Sequence, residues 1–366
     1  MFTSQAPFSA AEHNRYSRHL RLSEIGAAGQ QKLKAARVLV VGCGGLGCPV
    51  LQYLAAAGVG TVGLLDFDVV DDSNLQRQVL YATADVGRPK AEAAAEKLRA
   101  QNPFISVQPH QVLLSAANVM ALFAAYDLVI DCSDNFATRY LVNDACVILG
   151  KPLVFGAIFK FEGQVTVFNY QNGPTYRCLY PQPAAEAAPN CAEIGVLGVL
   201  PGLVGTLQAT EALKIILALG EVLSGRLLLV DALAMRFQTI RFKALVANQQ
   251  LTALAPDYAA FCGEAPLAPA LIRAPEITAD ELRAWQQSGR PLQLLDVREP
   301  HEYARRNIGG QLIPLAELTA RASELQSAVP VVVHCASGVR SQKAAQLLLS
   351  QGFVSVYSLR DGLAEY

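Results

Sequence analysis

The sequence predicts an α/β protein in two parts, a Rossmann-like domain on a mostly parallel sheet followed by a smaller α/β domain. Three observations carry this. A valine-rich run at residues 37–41, RVLVV, leads into the glycine-rich GCGGLG of residues 42–47. A helical stretch from about Pro49 to Ala57 and a second apolar run, TVGLLD at 61–66, follow, which is the order strand, tight turn, helix, strand of a βαβ unit. A second cycle of apolar strands and a helix begins near Glu276, beyond a Pro- and Ala-rich stretch that has no period.

The remaining elements follow in order. Residues 105–109, 127–132 (DLVIDC) and 152–155 read as further strands, with helical segments at 88–101 and 137–149. GQVTVFN at 163–169 alternates like a strand with two different faces, and 227–232 with 236–243 suggests a late hairpin. The apolar stretch Gly195 to Gly220 is interrupted by Pro201, Gln208, Glu211 and Lys214. A bilayer penalises such charges by about 2.5–3.5 kcal/mol each, so this segment is expected to be a helix buried in protein. The expected division is a first domain over 1–255, a linker over 256–275 and a second domain over 276–366. In the second domain ITADELRAWQQ starts a helix at Thr278, with Glu281 placed for a capping box. LQLLDV (292–297), VPVVVHC (329–335) and FVSVYSL (353–359) read as strands, and SQKAAQLLLSQG as a helix ending at a glycine.

Composition narrows the function classes. Of 366 residues 52% are apolar and 17% charged, which suits a large core and excludes a disordered chain. Thirty basic and 31 acidic residues give a net charge of −1 without a sustained basic block, so neither nucleic acid nor a membrane is an expected partner. The opening MFTSQAPFSAAEHNRYSRHL has neither an apolar core segment nor a cleavage pattern, and a cytoplasmic setting is expected. There the eight cysteines stay reduced, and their chemistry is catalytic or metal-binding.

Gly42, Gly44 and Gly47 match G-x-G-x-x-G, and Gly45 adds another glycine. A tight turn of this kind lets backbone N–H groups and a helix N-terminus approach an anion. Asp66 follows Gly47 by 19 residues, where a carboxylate accepts from ribose hydroxyls, and Asp68 is two residues on. These features alone also suit a nicotinamide oxidoreductase. Arg77 in SNLQRQ and Lys90 in GRPK separate the readings, because a fork-shaped guanidinium and a point-charge ammonium suit a triphosphate. DLVIDCSDN then runs from a strand into Asp134, a candidate ligand for Mg²⁺ against phosphate oxygens, and Asn135.

The runs RYSRHLRL, VGCGGLG, LLDFDVVDDSNLQRQ, VGRPK, DCSDNFATRYLVNDAC and FEGQVTVFNY resemble the adenylyltransferases of ubiquitin-like and sulfur-carrier proteins, over about residues 13–245. The bacterial members activate the small carriers of molybdopterin and thiamine biosynthesis, and the resemblance points first to a molybdopterin-pathway carrier. It implies that Gly45, Asp66, the stretch Ser73, Asn74, Leu75, Gln76 and Arg77, Lys90, Asp134 and Asn135 line ATP. It also implies that Arg18 reaches into the site of a second subunit, hence a homodimer. The implied reaction joins a carboxylate to AMP and releases pyrophosphate.

Two further expectations depend on this resemblance. The family usually binds one zinc through two C-x-x-C pairs, but TYRC here puts Thr175 in place of one cysteine, leaving Cys178, and AAFC leaves Cys262 alone. Two thiolates fall short of a closed tetrahedral site. Cys191 lies in PNCAEIGVLG, after a Pro- and Ala-rich segment. In related enzymes a cysteine at this place is proposed to attack the adenylate or to link to the carrier, and an exposed loop would suit that chemistry.

In the second domain HCASGVR at 334–340 opens with a cysteine at a strand end and closes on an arginine before a helix. Successive N–H groups of Ala336, Ser337, Gly338 and Val339, with the helix N-terminus, form an anion cradle to which Arg340 adds charge. Such surroundings stabilise a thiolate or persulfide, though phosphatases use a similar loop. LLDVREPHEYARRNIGG and the closing SLRDGLAEY resemble a rhodanese domain over 276–366, which implies Cys335 as persulfide carrier, loaded by a cysteine desulfurase or thiosulfate. Asp296 and Arg298 are expected to brace the fold, and His334 to point away from Cys335 by strand alternation. The combined expectation is ATP-dependent activation of a carrier's C-terminal carboxylate, then sulfur transfer from Cys335 to give a thiocarboxylate. The alternative passes the carrier on as a Cys191 thioester, with the second domain only a docking module.

Overall fold

The computed structural model describes residues 7–183, 195–262, 274–327, 329–364 and 366. The chain divides into two compact units, Met1–Leu267 and Ala268–Tyr366.

The first unit is built on eight strands: β1 (Arg37–Val41), β2 (Thr61–Leu65), β3 (Ser106–His110), β4 (Leu128–Asp131), β5 (Leu153–Phe159), β6 (Glu162–Phe168), β7 (Arg226–Asp231) and β8 (Arg236–Arg241). Their order is β3-β2-β1-β4-β5-β6-β7-β8. The first five in that order run parallel, with Val38 opposite both Val62 and Leu128. β6, β7 and β8 continue the sheet antiparallel, so GQVTVFN and the expected hairpin become its far edge. The chain winds one way from β1 to β3, then returns to the other side of β1 with β4. A crevice opens at such a reversal, outside the carboxyl ends of β1 and β4.

The apolar stretch near residue 200 is a buried helix, Leu200–Leu217, with Pro201 in its first turn. It packs on helix Gly47–Ala57 and on β5 and β6. Its polar residues are satisfied inside the protein: Gln208 donates to the Asp131 carbonyl at 2.7 Å, and Glu211 accepts from Lys214 and from the Leu223 N–H at 2.8 Å. Burial without such partners would be costly. Among the described residues no helix is long and apolar enough to cross a membrane.

The second unit is a five-stranded, all-parallel sheet of β9 (Glu276–Ile277), β10 (Gln293–Asp296), β11 (Gln311–Leu312), β12 (Val331–His334) and β13 (Val356–Leu359), in the order β11-β10-β12-β13-β9. Thr278 and Glu281 form the expected capping box of helix Ala279–Gln287. Along β12 the alternation sends Val331, Val333 and Cys335 into the core under helix Val339–Ser350, whereas Val332 joins Leu282 in a separate cluster.

Candidate active site

The crevice of the first unit starts from the glycine turn after β1. Gly42 has φ +95°, and a Cβ there would lie 2.8 Å from the Cys132 carbonyl oxygen. A Cβ on Gly47 would lie 2.0 Å from the Gly42 carbonyl oxygen, so the turn closes only with glycine at both places. Gly42, Gly44 and Gly45 line the crevice together with Asp66, Asp68, Arg77, Lys90, Asp134 and Asn135. Residues far apart in sequence thus meet because β1, β2 and β4 are neighbours whose ends open on one side.

The carboxylate of Asp66 accepts from the Cys43 N–H at 2.7 Å and from the Asp68 N–H at 2.8 Å, which ties the glycine turn to the end of β2. Burial pushes the Asp66 carboxyl above the usual range, against the pull of Lys90. Lys90 is only 6% exposed and donates to Asp68 at 3.0 Å. Its burial would depress the ammonium, but the carboxylates of Asp66, Asp68 and Asp134 outweigh this and hold it above the usual lysine value. Arg77 donates to the Ser73 carbonyl at 3.0 Å, one guanidinium nitrogen of its fork. The cap of helix Phe136–Ile148 is Asn135, whose Oδ1 accepts from the Thr138 N–H at 2.8 Å. Asp134 is therefore not the cap and stands exposed at the mouth of the crevice.

Other expected residues lie outside this crevice. Ser73 and Asn74 sit in a short 3₁₀ turn, with Ser73 bound to Asp71 through both its N–H and its hydroxyl, and neither they, Leu75 nor Gln76 line it. Gly47 supports the turn from within helix Gly47–Ala57, and Arg18 is exposed on helix Ser17–Leu20. The structure adds Gln78, Thr138 and Arg139 to the lining. Arg139 donates to the Ser133 carbonyl at 3.3 Å and lies over the Phe136 and Phe155 rings. Its signal was a lone arginine in the otherwise apolar start of a helix.

In the second unit Cys335 is buried at the end of β12, and its sulfur accepts from the Ser341 N–H, in the first turn of helix Val339–Ser350, at 3.3 Å. Ala336 and Ser337 are exposed, and Gly338 caps the helix at φ +83°. One expectation is corrected. Arg340 does not present an unopposed charge to the loop: its two terminal nitrogens donate to the two carboxylate oxygens of Glu302, each at 2.7 Å. Glu302, on helix Pro300–Arg305, is held down to about 2 by Arg340 first, so the pair is neutral overall. Asp296 and Arg298 form a buried pair at 2.6 Å, and Arg298 also donates to the Arg306 carbonyl at 2.7 Å. His334 faces Asp296 at 3.8 Å and burial lowers its pKa, so strand alternation does turn it from Cys335.

The remaining cysteines sort by surroundings. Cys43, Cys48, Cys132 and Cys146 are buried, which pushes their thiols up, that of Cys48 to about 12. The Cys178 sulfur accepts from the N–H groups of Leu245 at 3.2 Å and Thr175 at 3.4 Å, and lies 3.3 Å from the Thr175 hydroxyl. Partial burial would raise this thiol, but the hydrogen bonds hold it below the usual cysteine value. The residues present do not fit the family's zinc. Buried Thr175 fills one ligand position with a hydroxyl bound to the sulfur, and among the described residues no group of three or more His, Cys, Asp or Glu is arranged to hold a metal. Metal analysis of the purified chain should find less than one zinc per chain; stoichiometric zinc would contradict this. Cys191 lies outside the described residues.

Comparison with known proteins agrees with this layout. The ThiF family matches residues 16–252, and the rhodanese-like domain matches residues 278–366. The chain is 47% identical to the "Probable adenylyltransferase/sulfurtransferase MoeZ" of Mycobacterium tuberculosis, over 98% of this chain and 93% of that protein. It is 52% identical to the "Sulfur carrier protein adenylyltransferase" of Thermus thermophilus, over 69% of this chain and 97% of that one. The crystal structure of E. coli MccB with MccA-N7isoASN shares the fold, at a TM-score of 0.58 and 24% identity over 67% of this chain and 75% of that one.

Proposed function

The chain belongs to the ThiF family and ends in a rhodanese-like domain, and from that premise we propose how its two sites act. It is an adenylyltransferase with sulfurtransferase activity: it activates the C-terminal carboxylate of a small ubiquitin-like sulfur-carrier protein with ATP, then supplies sulfur from a rhodanese persulfide to form a thiocarboxylate. The observation that carries the first half is the meeting of Arg77, Lys90 and Asp134 around the glycine turn at the reversal between β1 and β4.

In the adenylation step a carrier carboxylate oxygen attacks the α-phosphorus of ATP in line, and pyrophosphate leaves. The catalysis asked of the protein is positioning and stabilisation of charge. The glycine turn admits the phosphates to within reach of backbone N–H groups, Lys90 and Arg77 neutralise them, and Asp66 faces the ribose. Asp134 would hold Mg²⁺, which when bound draws charge from the phosphate oxygens. Arg139 is a third cation at this site. Exposed Arg18 would complete the site of a second copy in a homodimer.

Sulfur then comes from Cys335. The outer sulfur of its persulfide attacks the activated carbonyl and AMP leaves. A thiol must then cleave the resulting sulfur–sulfur bond to free the thiocarboxylate. A cytoplasmic, reducing setting suits both the free thiol and that last step, and joining the sites in one chain raises their local concentration.

Incubating the protein with ATP, Mg²⁺, a sulfur donor and candidate carriers tests the whole reading. The carrier should gain the mass expected for exchange of one oxygen for sulfur, and failure with every carrier would count against it. Asp134→Ala isolates the first step. Because Asp134 is exposed and caps no helix, its loss should leave the unfolding temperature unchanged while cutting ATP–pyrophosphate exchange by about 10²-fold or more. Exchange at the wild-type rate would remove Asp134 from the site.

A further inference from the structure

The groups assigned to the triphosphate come from three segments of the chain: the glycine turn at 42–45, Arg77 with Gln78, and Lys90 at the start of helix Lys90–Gln101. One residue that does not line the crevice links all three. Tyr81 continues the second segment, where its N–H donates to the Gln78 carbonyl at 3.1 Å. Its hydroxyl donates to the Cys43 carbonyl at 2.8 Å and to the Lys90 carbonyl at 3.2 Å. One proton is shared between two acceptors, and the shorter bond takes the larger share. The ring is buried in the same core cluster as Cys43 and Leu80. Burial pushes its phenol far above the usual tyrosine value, so the hydroxyl keeps its proton and stays a donor.

The other bonds of Cys43 and Lys90 do not duplicate this link. The Cys43 N–H is tied to the Asp66 carboxylate at 2.7 Å, and the other donor to its carbonyl is the weak one of the Cys48 thiol, at 3.5 Å. Lys90 is tied through its N–H to the Asp68 carbonyl at 2.9 Å and through its ammonium to the Asp68 carboxylate at 3.0 Å. Both of those ties run to the loop after β2. Among the described residues Tyr81 is the one side chain bonded to both Cys43 and Lys90.

We propose that Tyr81 is a positioning residue for the adenylation step: its hydroxyl sets the spacing between the glycine turn and Lys90, so that backbone N–H groups and the ammonium reach one triphosphate together. This rests on the reading of the crevice as the ATP site. Tyr81 acts only through Cys43 and Lys90. A grip made of two parts works when their spacing matches that of the phosphates, and a misplacement of about 1 Å can cost about 10²-fold in rate. Without the hydroxyl the buried Cys43 carbonyl loses its strong donor, and the turn and the helix start are free to part.

Tyr81→Phe removes one oxygen and keeps the ring that packs in the core. The change is made in the full-length wild-type chain and again in Lys90→Met. Exchange of labelled pyrophosphate into ATP is then measured against ATP concentration, with a carrier that the wild type accepts. In the wild-type background kcat should fall about tenfold, with KM for ATP changed by less than about threefold. In the Lys90→Met background no ammonium remains to be placed, and the same change should cost less than about twofold. A variant that merely folds less well loses the same factor in both backgrounds. Equal losses therefore overturn the proposal, as does a Tyr81→Phe chain that exchanges at the wild-type rate. A wild type that exchanges no pyrophosphate with any carrier would instead overturn the reading of the crevice on which the proposal rests.

Discussion

Cys335→Ala should abolish thiocarboxylate formation while leaving ATP–pyrophosphate exchange within about twofold of wild type. The sulfur at this position is the atom at the end of β12 that can carry a second sulfur, since its hydrogen-bonding partner Ser341, and Ser358 bonded in turn to Ser341, offer only hydroxyls. Removing a covalent nucleophile costs all of the rate that proceeds through it, so the fall should exceed about 10³-fold. Instability is a poor explanation for such a loss. The thiol is small and already packed among Val331, Val333 and Ala344, so its truncation leaves a void of a single atom, costing on the order of 1 kcal/mol. Cys335→Ser fills that void and should be just as inactive in sulfur transfer. The measurements are carrier mass after incubation with a sulfur donor, and exchange of labelled pyrophosphate into ATP in the same samples. Full sulfur transfer by either variant would leave the second unit without a chemical role and favour the docking-module alternative.

The fold was legible where a local pattern and its tertiary surroundings agree. RVLVV and TVGLLD are buried strands because both faces of a parallel sheet are covered, and such strands read as unbroken apolar runs. Thr278 and Glu281 were legible because a capping box is local in sequence. Other elements lacked that agreement. Helix Gly26–Ala35, GAAGQQKLKA, has little apolar character of its own and is held by Leu33 in the core and by Gln30 donating to the Ala57 carbonyl at 2.8 Å. Its neighbour Ala10–Arg15 did carry a signal, the capping box of Ser9 and Glu12. β9 and β11 are two residues each, too short for a period to register. At the sites, the glycine turn, Asp66 and Cys335 stand out because their chemistry is tied to a strand end, and Lys90 because it opens a helix directly after GRP. Glu302 did not: 38 residues separate it from Arg340, and HEY in a short exposed helix gives no hint of that partner.

The other large effect is expected at Lys90. Lys90→Met keeps the length and apolar stem of the side chain and removes only its charge. ATP–pyrophosphate exchange should fall by about 10²–10³-fold, with much of the loss in kcat, because negative charge builds on the departing pyrophosphate as the bond breaks. The same change leaves Asp66, Asp68 and Asp134 without their shared cation. A fully buried pair broken on one side costs roughly 3–5 kcal/mol, but Asp68 is 56% exposed and can turn to water, so the loss here should be on the order of 1 kcal/mol. The sign with pH separates the two effects. In the wild type the ammonium is held above its unfolded value, so its stabilising contribution is complete at neutral pH and is lost only as pH rises through that raised value. In the variant Asp66, whose carboxyl burial already raises, loses the opposing pull of Lys90 and binds its proton more tightly folded than unfolded, so acidification restores stability relative to wild type. Denaturant unfolding from neutral pH down through the carboxylate range should therefore show the gap closing while exchange activity does not return. Lys90→Arg keeps the charge but must fit a larger head into a position 6% exposed, and should recover part of the exchange. If Lys90→Met kept exchange within tenfold of wild type, the ammonium would be serving the three aspartates alone, and the nucleotide would have to be held from elsewhere in the crevice.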